Sequence, residues 1–186
     1  MKLAELLQRY EQGERDFRGV DLSEMDLSNV SLPGINLSGA TLVLSNLMRA
    51  DLREANLNGA NLIGVDFIEA NLSQASLTWI RAIGANFSGA SFVGANAIEA
   101  IFTGAVFDRG NLSKVCALGA DFMGASLVGT DLRDANLLGA NFAGADLSAA
   151  QLEGSNLYDA YWKSAKLAPE AIVNLNNYQR RRIHSA

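Results

Sequence analysis

The 186-residue chain has one cysteine, one histidine and two prolines. A single cysteine, Cys116, excludes an internal disulfide framework and any zinc site built on paired cysteines. A single histidine, His184, excludes an HExxH pair and the common two- and three-histidine metal sites. No apolar run approaches the roughly 18 residues that a membrane-spanning helix needs. The opening Met1-Lys2-Leu3-Ala4-Glu5 is too polar for the apolar stretch of a secretory signal. Charge is sparse as well: Asp, Glu, Lys and Arg make up 19%, against about a quarter in most domains. The net charge of −5 argues against direct nucleic-acid binding. No dinucleotide fingerprint, phosphate-binding loop or nucleophile elbow is present. These absences predict a soluble cytoplasmic protein with no catalytic site, no metal, no cofactor and no membrane partner.

What is present is repetitive. Ala, Leu, Gly and Asn fill 87 of the 186 positions, and they recur with a period of five. Of the 31 residues whose numbers end in 2 or 7 between Phe17 and Leu167, 19 are Leu and eight are Phe. The four others are Ala82, Ala97, Ala117 and Trp162. The residue two before this centre is mostly Ala, the one just before it Asp or Asn, and the one two after it Gly. No insertion or deletion interrupts the register from Arg15 to Leu167. A period of five fits neither the helix (about 3.6) nor the strand (about 2). It fits a chain that turns a corner every five residues, with the centre and the Ala two before it pointing inward. Gly suits the corner because a type II turn needs positive φ at its third position. Four such units close a square coil of 20 residues, and coils stacked at about 4.8 Å can hydrogen-bond along the axis.

Units such as Ala135-Asn136-Leu137-Leu138-Gly139 and Ala140-Asn141-Phe142-Ala143-Gly144 resemble the pentapeptide-repeat family. The resemblance implies an all-β solenoid, a right-handed quadrilateral β-helix, of seven to eight coils and a length of about 35–38 Å. It also implies caps, since solenoid ends expose core and edges. Residues 1–14 carry Leu3, Leu6, Leu7 and Tyr10 at helical spacing and are read as an N-terminal helical cap. Residues 15–167 are the repeat body. Residues 168–186 are read as a C-terminal helix, opened by Pro169 and burying Ala171, Ile172, Leu175 and Tyr178, followed by the basic tail Arg180–Arg182.

Centres twenty apart should stack on one side of the coil. This places Phe67, Phe87 and Phe107 in one column and Phe102, Phe122, Phe142 and Trp162 in another. Ala97 and Ala117 fall in a third column, where they offset the volume of the rings.

Candidate chemistry is thin. The Asp ladder (Asp16, Asp21, Asp26, Asp51, Asp66, Asp121, Asp131, Asp146) could bind calcium, but the nonapeptide pattern of calcium rolls is absent. The plainer reading is that Asp and Asn side chains satisfy backbone groups near the corners. Cys116 lies in an outward register and is either a reactive thiol or an inert surface residue. Residues just after the centre say more. The resembled family often has Ser, Thr or Arg there, whereas this chain often has Ile, Val, Leu or Met. One column reads Ile98, Leu118, Leu138, Tyr158, and its neighbour includes Val43, Ile63, Ile83 and Met123. Trp79 is also outward. The other two sides carry Arg49, Arg53, Glu54, Glu69, Arg109, Lys114, Arg133 and Asp134. Two neighbouring faces are therefore expected to be apolar. That surface is either a partner site or ordinary β surface.

The leading expectation is a non-enzymatic scaffold that binds an unidentified protein, with a homodimer as one form of that pairing. The resemblance supplies an alternative, since one branch of the family mimics DNA and modulates DNA gyrase. Within the repeat body, residues 16–167 carry 9 basic and 16 acidic residues, a net of −7.

Overall fold

The structure is a computed structural model and describes residues 1–168. The expected C-terminal helix from Pro169 and the tail through Arg180–Arg182 lie outside the described residues. Helix α1 spans Leu3–Glu11, and strands β1 (Asp146–Leu147) and β2 (Lys166–Leu167) pair in parallel. Elsewhere the chain forms isolated bridges, from Asp16↔Asn36 to Asn141↔Tyr161. Every one is parallel and joins residues twenty apart. Longer strands do not form because each straight segment is three residues long before a two-residue turn intervenes.

The hydrogen bonds account for the period of five. In the unit around Phe142, the Asn141 amide donates to Ala120 O of the preceding coil (2.9 Å). The Phe142 and Gly144 amides donate to Tyr161 O and Lys163 O of the next coil (2.7 and 2.8 Å). Ala145 N closes the turn onto Phe142 O at 3.0 Å. The fifth amide, of Ala143, donates to the Asn141 side chain at 3.0 Å. The Asp/Asn ladder therefore serves the one amide per unit that no carbonyl reaches. The same bond recurs at Asp21, Asp26, Asn36, Asp66 and Asp121, among others. Where Ser76 and Ser126 replace the Asx, Asn58 and Asp108 of the preceding coil cap Thr78 and Val128 instead.

The third turn residue has positive φ in every unit from Gly19 to Ser164, whether or not it is glycine. Left-handed backbone costs an ordinary residue about 1–2 kcal/mol, and the bonds on both sides of the corner hold it there. At Gly64 a Cβ would lie 2.8 Å from Leu44 Cδ2. Leu44, itself at φ 57°, drapes over the next corner because that corner has no side chain.

The core is a pair of ring columns with an alanine column beside them. Phe67, Phe87 and Phe107 stack with centroids 5.1 and 4.9 Å apart. Phe102, Phe122, Phe142 and Trp162 stack at 5.1, 5.1 and 4.5 Å. The columns meet edge to face, as at Phe102–Phe107 (5.0 Å, 82°). Such geometries add about 0.5–1.5 kcal/mol per pair beyond burial. Ala82, Ala97 and Ala117 are all buried. Ala97 and Ala117 lie across the coil from Phe87 and Phe107 and supply the room the rings need. Buried Ser45, Thr130 and Ser155 direct their hydroxyls to the carbonyls of Leu42, Phe107 and Leu152. At the N-terminal end Leu6 of α1 is fully buried, with Leu3, Leu7 and Tyr10 partly so. Tyr10 donates its hydroxyl to Pro33 O at 2.7 Å, and Arg9 lies 5.2 Å from the Phe17 ring centroid.

Ala97→Phe should therefore overpack the coil that already holds Phe87, Phe92 and Phe102, destabilising by about 1–3 kcal/mol. Urea unfolding measures this, and a midpoint equal to wild type would contradict the packing described.

Candidate partner face

The residue after each centre is the first of the two turn residues. The two apolar columns therefore run along two neighbouring corners, and the expectation of two apolar faces is corrected. The reason is geometric: only the residue before the centre points out from the middle of a side. Between the two corners lies one flat face whose outward row includes Asn61, Arg81, Ile101, Asp121, Asn141 and Tyr161.

Coil-to-coil hydrogen bonds align each corner column. Glu99 N donates to Leu118 O, Gly119 N to Leu138 O and Gly139 N to Tyr158 O. On the other corner Gly64 N donates to Ile83 O and Gly104 N to Met123 O. Trp79, Ile83, Met123 and Tyr158 are exposed, at 63%, 37%, 45% and 51%. Ile63, Ile98, Leu118 and Leu138 are half-buried along the same corners. The Trp79 indole donates to Glu99 at 2.8 Å, which fixes the ring against the corner. Sequence reasoning missed Tyr161 and Leu44, 52% and 62% exposed. Both leave a signal: Tyr161 stands where Asp or Asn is usual, and Leu44 where Gly is. Val128 was missed too. With Ile68, Glu69, Gly89, Asp108 and Arg109 it lines an open hollow of about 450 Å³ on the next corner.

Charge is distributed differently. On the side opposite the flat face, Arg53 forks onto Asp51 and Arg133 onto Asp131, two residues away, at 2.6–2.9 Å. Arg18 does the same to Asp16. The guanidinium holds each of these three carboxyls below its ordinary range. Hydrogen bonds from Ser23 and Ser28 lower Asp21 and Asp26. Ser148, with Lys166 at 3.1 Å, pulls Asp146 down to about 2.

Among the described residues no three His, Cys, Asp or Glu side chains gather where they could hold a metal ion. Cys116 is half-buried, bridged between Asn96 and Asn136 on the side next to the flat face. His184 lies outside the described residues. No helix among the described residues is long and apolar enough to cross a membrane.

The pentapeptide-repeat family matches in eight copies, over residues 15–43, 45–81, 83–117 and 119–160. The chain belongs to that family. No curated protein matches it. Several solved pentapeptide-repeat proteins do. HetL, from the cyanobacterium Nostoc sp. strain PCC 7120 and involved in heterocyst differentiation regulation, is 28% identical. The match covers 89% of this chain and 96% of HetL, with a TM-score of 0.34. Rfr23, from the cyanobacterium Cyanothece 51142, is 23% identical over 89% of this chain and 99% of its own, with a TM-score of 0.30. Full-length QnrB1, a plasmid-mediated fluoroquinolone resistance protein, is 18% identical over 87% and 95%, with a TM-score of 0.48.

The lowered carboxyls of this pentapeptide-repeat protein contribute to its stability in acid. A carboxyl whose folded pKa is depressed adds stability above its unfolded pKa of about 4 and loses it as pH falls through the folded value. The thermal midpoint should therefore hold above about pH 5 and fall between about pH 4 and pH 2. Asp146→Asn should flatten part of that fall. Thermal melts across this range check both, and a midpoint insensitive to pH below 4 would contradict them.

Proposed function

We propose that this protein is a non-enzymatic, cytoplasmic interaction scaffold. On this reading it is a right-handed quadrilateral β-helix of seven to eight coils with helical caps, and it holds a protein partner against the face that contains Ile101. The observation that supports the reading is the pair of apolar corners. Trp79, Ile83, Met123 and Tyr158 are exposed along the two borders of one uninterrupted face, and contiguous exposed apolar surface marks partner sites. An unbroken register also provides no long loop on which a catalytic constellation could be mounted.

The alternative, a DNA-mimicking modulator of DNA gyrase, has the net charge of −7 on residues 16–167 in its favour. It has against it the Arg18, Arg53 and Arg133 forks, which neutralise carboxyls locally, and the apolar corners. A supercoiling assay with purified gyrase separates the two: the scaffold reading expects no effect at micromolar protein.

Ile83→Glu combined with Met123→Glu should abolish capture of the partner from the native source while the circular dichroism spectrum stays native. Both side chains are exposed, so the fold tolerates the change. Capture that survives in the double variant rejects this face as the site.

A further inference from the structure

The flat face has a sequence of side chains that is complementary to its own reversal. Its outward row runs Asn61, Arg81, Ile101, Asp121, Asn141, one residue per coil, each bridged to the next. Reading away from Ile101, Arg81 and Asp121 stand one coil to either side, and Asn61 and Asn141 stand two. The border column repeats the symmetry, with the exposed Ile83 and Met123 one coil to either side of Thr103.

Among the described residues neither Arg81 nor Asp121 on this row forms an ion pair, unlike the Arg18, Arg53 and Arg133 forks. Where an arginine directly follows the centre and an aspartate precedes it, the two fork together, as in Arg53–Asp51 and Arg133–Asp131. Here the arginine itself occupies the position before the centre, and Ile83 takes the place after it. Arg81 is exposed, with no carboxylate within ion-pair reach among the described residues. Asp121 accepts from the Met123 amide (3.0 Å), the Thr103 hydroxyl (3.0 Å) and the Asn141 side chain (2.9 Å). None of these donors is a cation.

We propose that the partner of this face is a second copy of the chain, packed antiparallel about a two-fold axis at the level of Ile101. The proposal rests on the reading of this face as an interaction surface and names its occupant. A two-fold contact is self-complementary, so residue i meets j and j meets i. An axis lying in the interface across the rod keeps each border opposite itself and reverses the coil order. Arg81 of each copy then meets Asp121 of the other, Asn61 meets Asn141, Ile83 meets Met123, and Ile101 packs on its own copy. The parallel alternative places Arg81 against Arg81 and Asp121 against Asp121, which is repulsive. The coil spacing of about 4.8 Å is common to both rods, so register is kept along the whole contact. The two desolvated ion pairs fix orientation more than they add affinity. A face this short gives a dimer that depends on protein concentration and, through its ion pairs, on salt.

Sedimentation equilibrium of the full chain over a concentration series, at low and at physiological salt, tests the proposal. Wild type should dimerise, more weakly in salt. R81D and D121R should each weaken the dimer at least tenfold, and R81D combined with D121R should restore it. Asp121 caps the Met123 amide, so D121R can fail to fold. D121N keeps that acceptor, removes the charge and should weaken the dimer about as much as R81Q. A wild type that stays monomeric at every concentration overturns the proposal. So does a native-like double variant that dimerises no better than the singles, or a dimer indifferent to R81Q and D121N. The broader reading fails separately: it falls if Ile83→Glu with Met123→Glu leaves capture of the partner from the native source intact.

Discussion

The structure depends on one recurring arrangement, the satisfaction of all five backbone amides of a five-residue unit wherever Asp or Asn precedes the centre. Three amides reach carbonyls of the coils above and below, a fourth closes the turn, and the Asp or Asn before the centre serves the fifth. Unpaired backbone groups are costly wherever water is excluded, so a chain that turns this often needs a partner for each. The rest follows from that arrangement. Bonds that run along the axis fix the twenty-residue offset, the offset stacks like positions, and stacking turns a linear sequence into columns. The two aromatic stacks, the two apolar corners and the Arg81–Ile101–Asp121 row are all such columns.

Most of the fold was legible because each register meets one chemical need. Leu or Phe at the centre fills the interior, Ala two before it fits the narrower space near the wall, and Asx before the centre caps an amide. The ring columns were legible for the same reason: once four units close a coil, Phe87 must lie over Phe67. The corner residues were legible only in part. The sequence shows that fifteen third turn positions are not glycine, but not that residues such as Glu24, Leu44 and Trp79 are held at positive φ. That is imposed by bonds to the neighbouring coil, and local preference opposes it.

The candidate surface was legible as a set of residues and misplaced as a shape. Alternation alone assigns every residue after the centre to the outside. It does not say that these residues sit on corners, or how far each side chain lies along the next coil. Leu118 and Leu138 are half-buried for that reason, while Met123 is open. The indole of Trp79 is tied by Glu99 one coil on, a contact between residues twenty apart that no local pattern encodes. Tyr161 was overlooked because it interrupts a polar ladder, and an interruption reads as noise until the ladder's purpose is known.

That purpose gives the interruptions their meaning. An Asp or Asn before the centre caps the amide two residues on, and a neutral hydrogen bond contributes about 0.5–1.5 kcal/mol. Arginine and isoleucine have no side-chain acceptor, so Arg81 and Ile101 each forgo the cap that Asn61, one coil before Arg81, supplies to Ile63. Arg81 is exposed and Ile101 half-buried, so neither regains through the core what the corner loses. A repeat whose backbone is the same in every coil can carry specificity only in such departures. Two of them stand in consecutive coils of one row, between corners that are also unusually apolar. The fold has no use for that combination, which makes it a property of the surface and of whatever packs against it.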